Sequence, residues 1–201
     1  MATLFVDKLD PQSGTALEIG TSGDTITVPS GATFNVAGTV GTGFTQGITD
    51  FDSWRMTANV DNASGGDLNG SWERQDTNSE NIKQGTGMTE SSGIFTFPGT
   101  GIWEIEFWTN MTVDGDYNYN GFYVYYSTNS GGAFSYLNGA WGSADNSGAS
   151  VTIGATSLLN VSNASTYRVK AGASGAGPAD YQGNTSVNYT YFNFKRLGDS
   201  T

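Results

Sequence analysis

Ile102-Trp103-Glu104-Ile105-Glu106-Phe107-Trp108 is the stretch that decides the fold. Apolar and acidic side chains alternate along it, and in an extended strand residues two apart share a face. The stretch therefore predicts one strand with Trp103, Ile105 and Phe107 facing a core and Glu104 and Glu106 on the solvated side. The same pattern extends outward. Phe122-Tyr123-Val124-Tyr125-Tyr126 and the run from Val187 to Phe194 are aromatic and β-branched, as strands prefer. Further strands are expected over 52–58, 68–73, 93–97, 134–137, 151–153 and 166–171, and 156–171 reads as strand or loop because of its Thr, Val and Asn content. Between them, Asn62-Ala63-Ser64-Gly65-Gly66-Asp67 and Ser127-Thr128-Asn129-Ser130-Gly131-Gly132 read as loops. So many short strands from residue 47 onward predict an all-β sandwich or jelly roll.

Composition narrows the chemistry. The chain has 201 residues with 19 acidic and 8 basic side chains, a net charge of −11, which opposes binding to nucleic acid or to an anionic membrane. It contains no Cys and no His, so thiolate chemistry, disulfides, imidazole-held metals and His-dependent triads are excluded together. No apolar run is long enough to span a bilayer and the first residues have no secretory pattern, so a soluble protein without membrane insertion is expected.

Carboxylates are the remaining catalytic groups. Glu104 with Glu106, or Asp114 with Asp116, would stand roughly 6.5–7 Å apart on one face of a strand, a spacing compatible with glycoside hydrolysis. Like charges spaced by two are normally the solvated face of an alternating strand, and the chain is expected not to be an enzyme and to carry no cofactor. Asp116-Tyr117-Asn118-Tyr119-Asn120-Gly121 opens like a calcium loop, with Asp114 just before it, and makes Asp114, Asp116, Asn118 and Asn120 the calcium candidates. The closing Glu of such a loop is absent, Ser127 standing in its place, and a plain loop leading into the Phe122 strand accounts for the same residues. Exposed recognition would use rigid aromatics, whose faces stack on sugar rings. Tyr117, Tyr119, Tyr136, Trp141 and Tyr181, most of them near Gly, Asn or Asp, are the candidate receptor-binding residues.

The amino-terminal part is different. Of 5 Trp, 10 Tyr and 11 Phe, only Phe5, Phe34 and Phe44 precede residue 47, so this part cannot bury a core of its own. It repeats instead. The pairs Leu17 and Ile19, Ile26 and Val28, and Phe34 and Val36 recur at spacings of nine and eight residues, separated by the turns Gly20-Thr21-Ser22-Gly23-Asp24 and Pro29-Ser30-Gly31-Ala32. Two inward side chains per unit offset too little of the ordering entropy, about 1–2 kcal/mol per residue. Several copies wound around one axis would stack these pairs in layers and pair their backbones between chains. The expected organisation is thus 1–14 as a terminal segment, 15–46 as a trimeric β-repeat shaft and hinge, and 47–201 as the knob; a single docked hairpin or an unstructured tail is the competing reading of 15–46.

Two resemblances bear on this. Gly93-Ile94-Phe95-Thr96-Phe97-Pro98-Gly99-Thr100-Gly101-Ile102-Trp103-Glu104-Ile105-Glu106-Phe107 and the closing Tyr189-Thr190-Tyr191-Phe192-Asn193-Phe194-Lys195-Arg196-Leu197 resemble the signature strands of the tumour-necrosis-factor and complement-head jelly rolls. That superfamily implies a compact homotrimer packed around its last strands and inner sheets. Leu9-Asp10-Pro11-Gln12-Ser13-Gly14 and the segment from Glu18 to Ala32 resemble the amino-terminal shafts of tailed-phage fibre proteins. This resemblance implies a virion protein, made in the host cytoplasm, whose residues 1–14, with Leu4, Phe5, Val6 and Leu9 as the apolar contacts, anchor it to other virion proteins. Its knob would attach to a host-surface glycan or protein. Alternatives are a fibre that decorates head or neck without selecting the host, a carbohydrate-active enzyme, and a bacterial surface adhesin of the complement-head type.

Overall fold

The structure is a computed structural model that describes residues 19–35, 47–75, 83–113, 115, 117–144 and 147–201, with Tyr117, Asn118 and Ala144 described by their backbone alone. The chain divides into two units, residues 1–44 and 45–201.

In the first unit the described residues 19–35 form two turns. Asp24 N donates to Thr21 O and Ala32 N to Pro29 O, each at 3.0 Å. The two turns lie eight residues apart and share a Ser-Gly centre. Gly23 (φ 96°) and Gly31 (φ 85°) occupy the third position of each, where the left-handed backbone conformation favours glycine. The first turn is braced by Asp24, whose Oδ2 accepts from Thr21 N at 2.7 Å and from the Thr21 hydroxyl at 3.1 Å, and these bonds hold its carboxyl below the usual range. Ile19, Ile26, Val28 and Phe34 are exposed on the single chain, and no strand forms among these described residues. Leu17, Val36 and the anchor residues Leu4, Phe5, Val6 and Leu9 lie outside the described residues.

The second unit is built of strands alone among its described residues: β1 (Phe51–Met56), β2 (Val60–Ala63), β3 (Trp72–Arg74), β4 (Thr89–Ser91), β5 (Ile94–Thr96), β6 (Gly101–Val113), β7 (Tyr117–Ser127), β8 (Ser135–Ala144), β9 (Ser150–Val161), β10 (Arg168–Gly175), β11 (Ala179–Tyr181) and β12 (Tyr191–Gly198). They make two antiparallel sheets. The seven-stranded sheet runs β2-β11-β6-β12-β1-β3, with β9 along the other side of β6, and the five-stranded sheet runs β4-β5-β10-β7-β8. The chain crosses repeatedly between the sheets, at β3–β4, β5–β6, β6–β7 and at each step from β8 to β11, which is the jelly-roll arrangement.

The strand read first, β6, is the spine. It alternates buried and half-buried over its 13 residues, with Trp103, Ile105 and Phe107 inside as expected. It pairs with β9 from Gly101 to Thr112, while β12 and then β11 share its other side. The core is aromatic. Phe95 of the five-stranded sheet stands 5.1–5.6 Å from Trp54, Trp72, Phe192 and Phe194 of the other, mostly edge to face, and Phe107 meets Phe122 at 4.6 Å. The buried indoles of Trp54, Trp72 and Trp103 each donate to an oxygen, so their polar edges cost little. Among the described residues one acid is fully buried. Asp52 accepts from Trp54 Nε1 (2.8 Å), Arg74 Nε (2.8 Å) and Met88 N (2.7 Å), a set that satisfies the carboxylate and ties 83–88 to β1.

Local departures from the sequence reading have physical causes. The strand expected over 68–73 is broken by Ser71, whose φ of 63° turns the chain. Leu68 N then bonds Ala171 O in one sheet while Trp72 pairs with Met56 in the other. The loop expected from Asn62 begins only after Ala63, because Val60–Ala63 pairs with β11. The expected loop before Phe122 is extended from Tyr117 onward.

Candidate functional site

The outer face of the five-stranded sheet carries an exposed cluster of aromatic rings. Phe122 and Val124 of β7 point into the core, so Tyr123 and Tyr125 point outward. They meet two rings from β8: Tyr123 lies 4.4 Å from Tyr136 and 4.9 Å from Trp141, and Tyr125 lies 5.1 Å from Tyr136, centroid to centroid. Tyr136 is 66% exposed and Trp141 42%. Tyr119, two residues before Gly121 on the same strand, is 48% exposed.

A bulge makes the cluster. Tyr136 and Trp141 are five residues apart, and an odd separation puts side chains on opposite faces of a regular strand. The register between β7 and β8 slips by one residue, so that Tyr125 faces Tyr136 while Val124 faces Asn138. The extra residue restores both rings to the outer face. Asn138 Nδ2 donates to Thr156 O at 2.9 Å and pins the bulge to β9 of the other sheet.

Glycines form the bed. A Cβ on Gly139 would lie 2.6 Å from Phe122 O and 2.9 Å from the Tyr123 ring; on Gly121, 2.0 Å from Ala140 O and 2.7 Å from the Trp141 ring; on Gly172, 2.9 Å from the Tyr125 ring. Only glycine lets these rings lie flat against the backbone. The Trp141 indole donates to Ser174 Oγ at 3.3 Å. Lys170, on β10 beside Tyr125, has its ammonium 4.4 Å from the Phe134 ring centroid and 2.7 Å from an Asp67 oxygen, so its charge is matched. Burial pushes the Tyr125 hydroxyl above its ordinary pKa, with Tyr136, Tyr123 and Asp67 adding to the shift.

The structure thus brings Tyr119, Tyr136 and Trp141 to one face and adds Tyr123 and Tyr125, which the alternating pattern had placed simply in a strand. Tyr117 is in β7, and its side chain lies outside the description. Tyr181 is corrected. It is wholly buried, because the three-residue β11 is held between β2 and β6, and it cannot touch a receptor. Its ring crosses the core to the other sheet, where its hydroxyl donates to Gly121 O and accepts from Ser174 N at 3.4 Å. Gly121 and Ser174 are the residues beside Trp141, so Tyr181 braces the exposed cluster from below. Of the calcium candidates, Asp114 and Asp116 lie outside the described residues, and Asn118 and Asn120 belong to β7. Asn120 is buried, with its amide nitrogen donating to Tyr119 O (3.1 Å) and Gly177 O (2.8 Å).

The outer face of the seven-stranded sheet has a different character. Trp108 Nε1 (2.7 Å) and Asn193 Nδ2 (2.9 Å) donate to Glu106, Ser53 Oγ donates to Asn193 Oδ1 (2.6 Å), and Lys195 pairs with Glu104 at 2.5 Å. The two glutamates are thus occupied by structural partners. Tyr191 on this face has its hydroxyl pKa raised, chiefly by burial and then by Glu106. Leu158, directly opposite Glu104 on β9, is 61% exposed. A recess of about 560 Å³ lined by 47–49 and 196–199 holds Arg196 paired to Asp199 at 2.6 Å.

No family model matches the sequence, and no curated protein matches it. Solved structures do match. Eiger TNF from S. frugiperda superposes on 75% of this chain and 94% of its own with a TM-score of 0.57 at 11% identity. A crystal structure of murine APRIL at pH 5.0 covers 74% of this chain and 98% of its own, with a TM-score of 0.53 at 12% identity. Likeness at this identity is one of fold, and that fold is the jelly roll that the segments around Phe95, Trp103 and Phe192 resemble.

Proposed function

We propose that the chain is the subunit of a homotrimeric fibre on a tailed-phage virion, whose knob adheres to the host surface. Residues 1–14 anchor the fibre to other virion proteins, the repeats of 15–46 wind three chains into a shaft, and the knob presents its binding face outward. The observation that carries adhesion is the aromatic cluster on the five-stranded sheet: four rings linked by contacts through Tyr123 and Tyr136, seated on glycines, with Tyr136 and Trp141 open to solvent. Packing three knobs through the opposite sheet, with Leu158 and Trp108 toward the axis, leaves three copies of the cluster facing away from it. Three weak contacts on one rigid body raise avidity by a factor of about 10² or more. The eight-residue repeat of Ser-Gly turns in 19–35, with exposed Ile26 and Val28 between them, supports the shaft.

The test is binding of the fluorescently labelled full-length protein to cells that the phage infects and to resistant derivatives. Binding restricted to susceptible cells, and reduced at least tenfold by Trp141→Ala, is expected. Equal binding to both, or none, would leave a decorating fibre without host selection.

A further inference from the structure

The aromatic cluster also has a chemistry that selects its ligand class. We infer that it binds an uncharged glycan, the sugar rings stacking on Tyr136 and Trp141 and their hydroxyls bonding the tyrosine hydroxyls; this rests on the adhesive role proposed for the knob.

Charge disfavours the acidic alternatives. Of the two cations of β10 on this face, Lys170 is held by Asp67 at 2.7 Å and covers Phe134 at 4.4 Å, and Arg168, one residue pair further along opposite Ser127, turns its guanidinium to the Tyr167 and Ala164 carbonyls at 2.7 and 3.5 Å. Lys170 offers no unmatched positive charge beside the rings to a sialic acid, a uronate or a sulfate, and the chain as a whole carries −11. Area favours a small ligand. The open parts of Tyr119, Tyr136 and Trp141, at 48, 66 and 42% exposure, amount to a patch on the order of 400 Å². A stable protein interface takes roughly 800 Å² from each partner with a dry apolar centre. A patch of this size matches two or three sugar units. The remaining chemistry fits a sugar as well. Tyr136 and Trp141 leave 66 and 42% of their surface open to the C–H faces of a pyranose, and the Tyr136 hydroxyl lies beside that of Tyr125, two groups that can bond sugar hydroxyls. Rigidity completes the site: the rings rest on Gly121, Gly139 and Gly172, and Tyr181 braces Gly121 and Ser174 from beneath, so little freedom remains to be lost on binding.

The experiment presents the full-length protein with immobilised oligosaccharides, neutral ones (glucose, galactose, mannose and N-acetylglucosamine oligomers) beside sialylated, uronic and sulfated ones, and follows the tryptophan emission lost in Trp141→Phe with the soluble neutral oligomers. The expected result is binding to at least one neutral oligomer that changes less than twofold between 0.05 and 0.5 M NaCl. It falls at least tenfold in Tyr136→Ala and in Trp141→Ala, is partly kept in Trp141→Phe, and is unchanged in Tyr189→Ala, an exposed tyrosine elsewhere. Binding to acidic glycans alone, neutral binding indifferent to both platform variants, or no glycan binding by a protein that still labels susceptible cells would each overturn the inference and leave the adhesive role standing. Absence of both glycan and cell binding would overturn the two together.

Discussion

Tyr181 shows how a residue can serve a surface it never reaches. Its hydroxyl links β11 of one sheet to β7 and β10 of the other, and burial pushes its pKa up to about 12. An unfolded tyrosine titrates near 10. Below pH 10 both states hold the proton and the full stabilisation is present; between 10 and 12 the unfolded state releases its proton first, and stability falls as pH rises through the folded value. A rise from 10 to about 12 corresponds to roughly 3 kcal/mol. Denaturant unfolding from pH 8 to 11 is expected to show a steeper alkaline loss in the wild type than in Tyr181→Phe, which starts about 1 kcal/mol less stable at pH 8 for want of its hydrogen bonds. Parallel curves for the two proteins would mean that the hydroxyl is not desolvated. The sequence hid this role because Tyr181 stands among Gly, Pro, Asp and Asn, a composition that reads as loop. Burial there comes from partners distant in sequence, Met111 and Val60, which no local pattern reveals.

At the level of elements, the strands with long alternation were legible and those fixed by a single backbone angle were not. β6 declares itself because it alternates over a full strand length against one core, and β12 does so in part: the run expected from Val187 becomes strand only at Tyr191, alternates as far as Lys195 and continues to Gly198. The break at Ser71 and the slip in β8 carry no such signal, since each depends on one residue's conformation within an otherwise strand-like run. The slip matters most. Counting by twos from Tyr136 places Trp141 on the wrong face, so the sequence named both as candidates without joining them. The glycines offered a clue that could have been used: Gly121, Gly139 and Gly172 interrupt strands that otherwise suit β structure, and such interruptions mark close approach. Gly139→Val is expected to destabilise the knob by roughly 1–3 kcal/mol, because its Cβ meets Phe122 O at 2.6 Å, and to shift Trp141 emission. Thermal unfolding followed by tryptophan fluorescence measures both; an unchanged melting temperature would show that the rings do not rest on that backbone.

For the whole molecule, assembly is the decisive quantity. Three chains would carry about −33 in charge, so the packed faces must supply apolar contact and matched ion pairs, as Leu158, Trp108 and the Glu104–Lys195 pair can. Light scattering after size exclusion is expected to give a mass of three chains for the wild type and of one chain for Leu158→Arg. Leu158 is exposed on the single chain, so the variant keeps its fold, checked by circular dichroism. A trimeric variant would place the threefold contact elsewhere, and a monomeric wild type would remove the shaft. The order of strands in the sheet bears on how the protein is made. β12, residues 191–198, is inserted between β6 and β1 and brings Phe192 and Phe194 to Phe95, which stands far earlier in the chain. A nascent polypeptide on the ribosome can therefore hold most of its strands and still lack the one that joins them. A product released before β12 is made would be left with an open sheet and exposed aromatics, the features that make partly folded chains prone to aggregate.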